Sequence, residues 1–361
     1  MPTVELRNVT MKWGRVIAAE NVNLRIEDRE YVTILGPSGC GKTTLVKIIA
    51  GILEPSSGEV FIDGRNMTGV PIEERDIGYV FQNIALFPHL DVYENVAYSL
   101  RVKGVDRKEL EKIPRQYLDL VKLLDKMKMF PSSLCGGEQQ KVSLARALST
   151  GAKLLLLDEP LSALDARVRV DLRYELRRLV KSLGLTALHV THDQEEAMSV
   201  SDRIVVMRSG KIVETGTPMK IYTRPENLFT ANFIGETNLL EGWVTRVCEE
   251  ETKVELRDET VITASPSNFK EGNAVVVSIR PENIFSSEHG IPAVITDMRY
   301  IGTFIRVIAK AKTEETLEFD IPTSKKREYN IGDEIHLSFE KDSVLVFARG
   351  PGGIEEAISL E

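Results

Sequence analysis

Polar and apolar residues alternate near the start of the chain. Val4, Leu6 and Val9, then Val22, Leu24 and Ile26, give residues 3–26 the two-residue period of half-buried strands. Residues 31–35 are a short apolar run that ends at Gly36, and residues 42–50 then read as a helix stopped by Gly51. Strand, glycine loop and helix in that order predict the start of a βαβ unit. Farther on, residues 107–125 place Leu110, Ile113, Tyr117, Leu120 and Leu124 on one helical face. Behind Gly136 and Gly137, Val142, Ala145 and Leu148 recur every third residue. Together these segments predict a mainly helical insert at about 88–150. Four consecutive leucines, 154–157, suit a strand buried on both faces. Asp165 precedes a helix whose Val168, Leu172, Leu176, Leu179 and Leu183 form a buried stripe, and it can cap that helix. Residues 186–191 and 204–207 supply two more core strands. Alternating strands and helices predict an α/β unit with a mainly parallel sheet.

The pattern changes near Gly235. Thr217-Pro218 opens a short helix, and residues 225–234 form a second that Gly235 ends. Strand-like segments follow at 240–247, 253–256, 274–279, 293–295, 304–311, 317–321, 334–339 and 344–348. Turn signals separate them at the steps of a small barrel or sandwich. The expected domains are therefore 1–235 and an all-β 236–361. RPENLF at 224–229 recurs as RPENIF at 280–285, but nothing around the two copies matches, so it reads as chance or a local turn and not as a duplication.

A chain of 361 residues is long enough for two domains. The formal net charge is −8, unevenly spread: from residue 236 onward 14 Lys and Arg face 24 Asp and Glu, a net of −10. An acidic tail argues against nucleic acid as a partner, because phosphate backbones need a basic face. Cys40, Cys135 and Cys248 are scattered without metal-ligand spacing, which suits a reducing compartment. The N-terminus carries no signal-peptide pattern, and no apolar run approaches the roughly 20 residues that span a bilayer.

The chemistry concentrates in a few stretches. GPSGCGKTT, Gly36 to Thr44, fits the phosphate-loop pattern between a strand and a helix. Its glycines let backbone N–H groups wrap a phosphate chain, Lys42 adds a positive charge, and the Thr43 hydroxyl can ligate Mg²⁺. LLLLDEP ends a buried strand in two carboxylates that can divide roles, Asp158 toward a metal and Glu159 toward a water. Gln82, in YVFQN, and His192, in HVTHD, each end an apolar run. Gly136-Gly137 at a helix start offers a second anion-binding N-terminus, far from the first.

The order GPSGCGKTT, Gln82, LCGGEQQ, LLLLDEP, SALD (Ser162 to Asp165), His192 resembles an ATP-binding cassette (ABC) ATPase over roughly residues 3–235. FIGETN (Phe233 to Asn238) and SIRPENI (Ser278 to Ile284) resemble the OB-like regulatory tail of importer ATPases in the maltose, polyamine and iron branches. The resemblance implies a P-loop NTPase with a parallel core sheet, an antiparallel β-subdomain and a helical subdomain, followed by an all-β OB-like domain. It implies ATP and Mg²⁺ as ligands and a head-to-tail homodimer in which each ATP site is split between two copies. Ser38, Gly39, Cys40, Gly41, Lys42, Thr43 and Thr44 would then hold the phosphates. Thr43, Gln82 and Asp158 would position Mg²⁺, with Glu159 as general base and His192 at the γ-phosphate. Leu134, Cys135, Gly136, Gly137, Glu138 and Asp165 would serve the site across the dimer. Trp13 matches the position that stacks on adenine. Permease subunits and a solute-binding protein would complete an importer, with this chain cytoplasmic and peripheral on the inner face of the membrane. LFPH (Leu86 to His89) and FIGETN resemble the polyamine, iron and oxyanion branches more than the sugar branch. A sugar importer ATPase and a soluble, non-transport cassette remain the alternatives.

Two departures from the family pattern carry expectations of their own. The signature is LCGGE where the family usually has LSGGQ, so a weakly donating thiol replaces a hydroxyl and Glu138 brings a negative charge. Cys40 lies near a helix N-terminus, which tends to lower a thiol's pKa; its alkylation is expected to block ATP binding.

Overall fold

The computed structural model describes residues 2–257, 259–312 and 315–360. The chain divides into two compact units, one of residues 2–219 with Leu360 and one of residues 220–359.

The first unit runs β1 (Val4–Trp13), β2 (Val16–Ile26), β3 (Tyr31–Leu35), α1 (Lys42–Ala50), β4 (Ser57–Ile62), β5 (Arg65–Asn66), β6 (Ile77–Val80), α2 (Val92–Val102), α3 (Arg107–Leu120), α4 (Gly136–Ser149), β7 (Leu154–Asp158), α5 (Ala166–Ser182), β8 (Thr186–Thr191), α6 (Gln194–Val200), β9 (Arg203–Arg208) and β10 (Lys211–Gly216). β2, β1, β4 and β5 form an antiparallel sheet in that order. The second sheet has the order β10-β9-β3-β8-β7-β6, parallel except for β10 at its edge. Every residue of β3, β7 and β8 is buried, which is why these strands read as unbroken runs with little alternation. One core joins the two sheets: Leu45 and Ile49 of α1 pack with Val4, Val22, Leu156 and Val190. A second core holds α2, α3 and α4 against β7 through Val96, Leu118, Leu144 and Leu155.

The helix expected over 107–125 is shorter. It ends at Leu120, and Lys122 takes a left-handed backbone with φ 61°. Leu118 is fully buried, whereas Leu124 sits in a following 3-10 turn and is exposed. The stripe of α5 holds at Leu172, Leu176 and Leu179, but Leu183 lies past the helix end and is exposed. β4, β5 and β10 escape the sequence reading because they are short or lack a clean period.

The division falls within α7 (Pro218–Thr223), and the second unit goes on to α8 (Leu228–Phe233). It continues with β11 (Asn238–Val247), β12 (Thr252–Leu256), β13 (Val261–Ala264), β14 (Ala274–Ile279), β15 (Ile284–Ser287), β16 (Ile291–Tyr300), β17 (Phe304–Ala311), β18 (Thr316–Pro322), β19 (Glu334–Phe339), β20 (Val344–Ala348) and α9 (Gly353–Ile358). Two antiparallel five-stranded sheets, β13-β12-β11-β14-β20 and β15-β19-β16-β17-β18, share one core. Leu228 and Ala231 of α8 pack on Val276 and Phe347, so residues 220–235, expected with the first domain, lie in the second compact unit. The motifs FIGETN and SIRPENI meet here. Arg280 donates to the carbonyls of Gly235 and Glu236, each at 3.0 Å. Asn238 donates to Ile279 and Glu318 carbonyls at 3.2 and 2.8 Å, tying the two sheets together.

The far end of α1 is fixed by Arg75, which is only 4 % exposed. Its guanidinium donates to the carbonyls of Ile48 and Ile49 at 2.9 and 2.8 Å, and to Met67 and Val70 at 2.6 and 2.7 Å. Ile48 and Ile49 lie in the last turn of α1, where carbonyls run short of helical partners, and Arg75 adds to the Gly51 N–H that Ile48 accepts at 3.1 Å. Arg75→Ala is expected to cost about 2–4 kcal/mol in urea unfolding of the full chain, since buried carbonyls lose their donors; a cost under about 0.5 kcal/mol would contradict this role.

Candidate active site

The phosphate loop leaves the end of β3 and enters α1. Gly41 has φ 103°, and a Cβ there would stand 1.9 Å from the Ala18 carbonyl oxygen. Gly39 has φ 81° with nothing within 4 Å of where its Cβ would be, so its backbone is open. Only glycine meets both demands at low cost. No side chain caps the first turn of α1 and no acid lies in it, leaving its N–H groups available to an anion. The Lys42 ammonium donates to the carbonyls of Gly36 and Pro37 at 2.8 and 2.7 Å.

The two carboxylates after the leucine run have different surroundings. Asp158 is buried; its Oδ1 accepts from Thr43 Oγ1 at 2.9 Å and its Oδ2 from the Tyr79 hydroxyl at 3.2 Å. Desolvation, with Asp158 beside it, pushes the Tyr79 phenol far above its ordinary pKa, so Tyr79 stays a donor. Glu159 takes a left-handed backbone, φ 46°, and its N–H donates to the Val190 carbonyl at 2.9 Å. That conformation costs a non-glycine residue on the order of 1 kcal/mol and turns the chain off the strand direction. The turn brings Glu159 Oε2 within 3.0 Å of Gln82 Nε2 and 3.3 Å of His192 Nδ1. Ser38, Gly39, Gly41, Lys42, Thr43, Thr44, Gln82, Glu159 and His192 thus line one open cleft of about 490 Å³.

The other expected residues lie elsewhere. Trp13 ends β1 and is 52 % exposed, so it is no core tryptophan. Asp165 caps α5, accepting from Val168 N–H at 3.1 Å. Leu134 to Glu138 form the entry to α4. Cys135 is exposed, and its N–H donates to Glu138 Oε2 at 3.1 Å. Glu138 also pairs with Lys126, which holds its carboxyl below the usual pKa range. The negative charge that Glu138 brings to the signature loop therefore has a counter-ion and a capping role within its own subunit. A Cβ on Gly137 would stand 2.7 Å from Val168 Cγ1, so this glycine lets α4 approach α5 closely.

Cys40 departs from expectation. Its thiol is buried at 4 % exposure, and a Cβ on Gly36 would come within 2.7 Å of Sγ. Burial pushes the thiol pKa up, outweighing the nearby Lys42 and the helix N-terminus.

Three supporting residues were not read from the sequence. Tyr79 holds Asp158, although its place two residues before Phe81 gave no sign of it. Gln139 donates to the carbonyls of Pro131 and Leu134 at 3.0 and 3.1 Å, fixing the signature loop. Arg146 of α4 donates to the Ala85 carbonyl at 2.6 Å and lies 5.5 Å from the Phe87 ring, carrying the segment after Gln82. Arg146 has no local signal, because Ala85 lies 61 positions away, whereas the partners of Gln139 are the residues just before its own helix.

Residues 19–162 match the family described as ABC transporter, and residues 277–347 match the TOBE domain. Over 354 residues the chain is 39 % identical to the spermidine/putrescine import ATP-binding protein PotA of Pseudomonas aeruginosa, covering 95 % of this chain and 98 % of that protein. The chain belongs to the ABC transporter ATP-binding proteins. Similarity extends to the proteins of the same name from Fusobacterium nucleatum, 38 % identical over 99 % of this chain and 98 % of that one, and Rubrobacter xylanophilus, 44 % identical over 85 % and 83 %. Among solved structures, a dimeric ATP-binding cassette in a post-hydrolysis state with ADP and Pi bound matches with a TM-score of 0.54 at 34 % identity. It covers 60 % of this ABC protein and 98 % of that chain.

Burial and pKa together predict the order of thiol labelling. Iodoacetamide at neutral pH is expected to modify the exposed Cys135 and Cys248 at least about tenfold faster than Cys40, read by peptide mass spectrometry. Equal rates at all three thiols would contradict the buried placement of Cys40.

Proposed function

We propose that this ABC protein is the ATP-hydrolysing subunit of an importer, acting as a head-to-tail homodimer and powering polyamine uptake through membrane permease subunits fed by a solute-binding protein. The observation that carries the catalytic reading is the Glu159 carboxylate held between Gln82 and His192, at 3.0 and 3.3 Å, beside the phosphate loop. Water attacks the γ-phosphorus in line, its proton passes to Glu159, and the bond to ADP breaks to leave ADP and phosphate. The Gln82 amide orients Glu159. His192 faces Glu159 through Nδ1, leaving its other ring nitrogen for the terminal phosphate. Lys42 and the N–H groups at the start of α1 counter the phosphate charge.

The donor set fits Mg²⁺: the Thr43 hydroxyl, the Asp158 carboxylate and the Gln82 carbonyl are hard oxygens. When bound, the ion neutralises charge on the β- and γ-phosphate oxygens.

Leu134, Cys135, Gly136, Gly137, Glu138 and Asp165 line none of their own subunit's cleft, which supports their service to the partner's ATP. Trp13, exposed at the end of β1, is suited to stack on the adenine. Phe81 after β6, and Tyr98 and Val102 in the helical subdomain, are exposed, which supports a permease contact there and a cytoplasmic, peripheral location. Among the described residues no helix is long and apolar enough to cross a membrane. Similarity to spermidine/putrescine import ATP-binding proteins over nearly the whole chain favours polyamine over iron, oxyanion or sugar, and an importer over a soluble cassette.

Glu159→Gln is expected to lower ATP turnover by ~10²–10⁴-fold while an ATP-bound dimer accumulates, followed by phosphate release and light scattering. Turnover at the parent rate would overturn the assignment of Glu159. In cells lacking the gene, uptake of labelled spermidine is expected to fall and to return with the parent gene but not with the Glu159→Gln form; loss of iron or oxyanion uptake alone would redirect the substrate. Cys135→Ser, restoring a strong donor, is expected to lower the ATP concentration for half-maximal dimerisation by about 2–10-fold, the worth of one hydrogen bond. An unchanged midpoint would show that the thiol is neutral there.

A further inference from the structure

Beneath His192 lies a buried polar chain that the hydrolysis chemistry does not use. Tyr31 and His189 are fully buried, and Thr191 and Glu196 are each 2 % exposed. Tyr31 sits on β3, the strand that feeds the phosphate loop, and its hydroxyl lies 3.0 Å from His189 Nδ1. Desolvation raises the Tyr31 pKa well above its ordinary value, so the phenol keeps its proton beside the imidazole. His189 Nε2 faces Glu196 Oε1 at 3.3 Å, and neither atom has an aligned hydrogen bond to any described residue. The other carboxylate oxygen, Glu196 Oε2, accepts from Thr191 Oγ1 at 2.7 Å. Thr191 Oγ1 in turn accepts from the Asp193 N–H at 3.0 Å.

His192 is the single residue between Thr191 and Asp193. Its preceding residue is anchored through a side chain and its following residue through a backbone N–H, both leading to the same carboxylate. Asp193 is held a second time: Oδ1 accepts from Glu196 N–H at 2.9 Å, and Oδ2 lies 3.4 and 3.5 Å from Arg169 and Arg173 of α5. A buried carboxylate is costly unless it is bonded. Here the hydrogen bond it accepts from Thr191 Oγ1 leads on to the Asp193 N–H, and so to the two residues that flank His192.

We propose that Glu196 is a positioning residue for ATP hydrolysis: through Thr191 it fixes the backbone on both sides of His192 and so keeps the imidazole against Glu159. The His189 ring, in contact with the Tyr31 hydroxyl, packs 3.3 Å from the carboxylate oxygen that Thr191 leaves free. The proposal rests on the reading of His192 and Glu159 as reaction-centre groups.

The test compares kcat and KM for ATP in the full-length protein, with thermal unfolding in parallel. Thr191→Val keeps the shape of the side chain and removes only the hydroxyl that links Glu196 to Asp193. It is expected to lower kcat at least about tenfold while KM changes less than about threefold, the signature of a lost transition-state contact. Glu196→Ala should behave likewise, and Glu196→Gln, which keeps an acceptor oxygen for Thr191, should recover at least about a third of the parent kcat. Should Glu196→Ala fail to fold, Thr191→Val and Glu196→Gln still decide. A Thr191→Val protein with parent kcat and only a lower melting temperature overturns the proposal, because the network is then merely structural. His192→Ala separates the two layers of inference. If it turns over ATP at the parent rate, the reading of the reaction centre fails; if it is impaired while Thr191→Val is not, only the positioning proposal fails.

Discussion

Parallel hydrogen bonding between β3, β8, β7 and β6 sets where every reactive group can stand. Leu35 pairs with Thr191, Asp158 with Val190, and Val80 with Leu157, so four strands stop at nearly one level. The next residues along each strand are Gly36 of the phosphate loop, His192, Glu159 and Phe81 before Gln82. Ligands of open α/β sheets collect at such carboxyl ends, because loops there can converge on one point without distorting the sheet. A shift of one strand by one residue would turn its side chains to the opposite face and separate the four segments.

Within that frame, backbone geometry gives two neighbouring carboxylates different surroundings. Asp158 completes the strand and stays buried with Thr43 and Tyr79. Glu159 leaves it through a left-handed turn and reaches Gln82 and His192. The strain is small beside the hydrogen bond from its N–H to Val190 and the sheet around it. Cys40 and Cys135 show the same control by position. One thiol faces inward under the phosphate loop and is made less reactive by burial; the other opens a helix at the surface.

Much of this was legible in the sequence. GPSGCGKTT, LLLLDEP and HVTHD each join an apolar run to polar residues at its end, so both the strand and its cargo could be read locally. The two-unit organisation followed from the change of period near Gly235, although α8 packs with the tail. What could not be read depends on partners far apart in the chain. Tyr79 meets Asp158 across 79 positions, and Tyr31 meets His189 across 158. No local period records such pairs. The pairing of Glu138 with Lys126, twelve positions earlier in a 3-10 turn, likewise leaves no local period. At Cys40 the helix N-terminus is visible in the sequence, but the burial that raises the thiol pKa is not.

The central claim is that neither subunit holds a complete reaction centre. Specific ATPase activity measured against protein concentration, with the dimer fraction followed by single-molecule mass measurement on the same samples, addresses it most directly. The account predicts that activity per subunit tracks the ATP-bound dimer and vanishes as dilution leaves monomers. A monomer that keeps full specific activity at high dilution would contradict it.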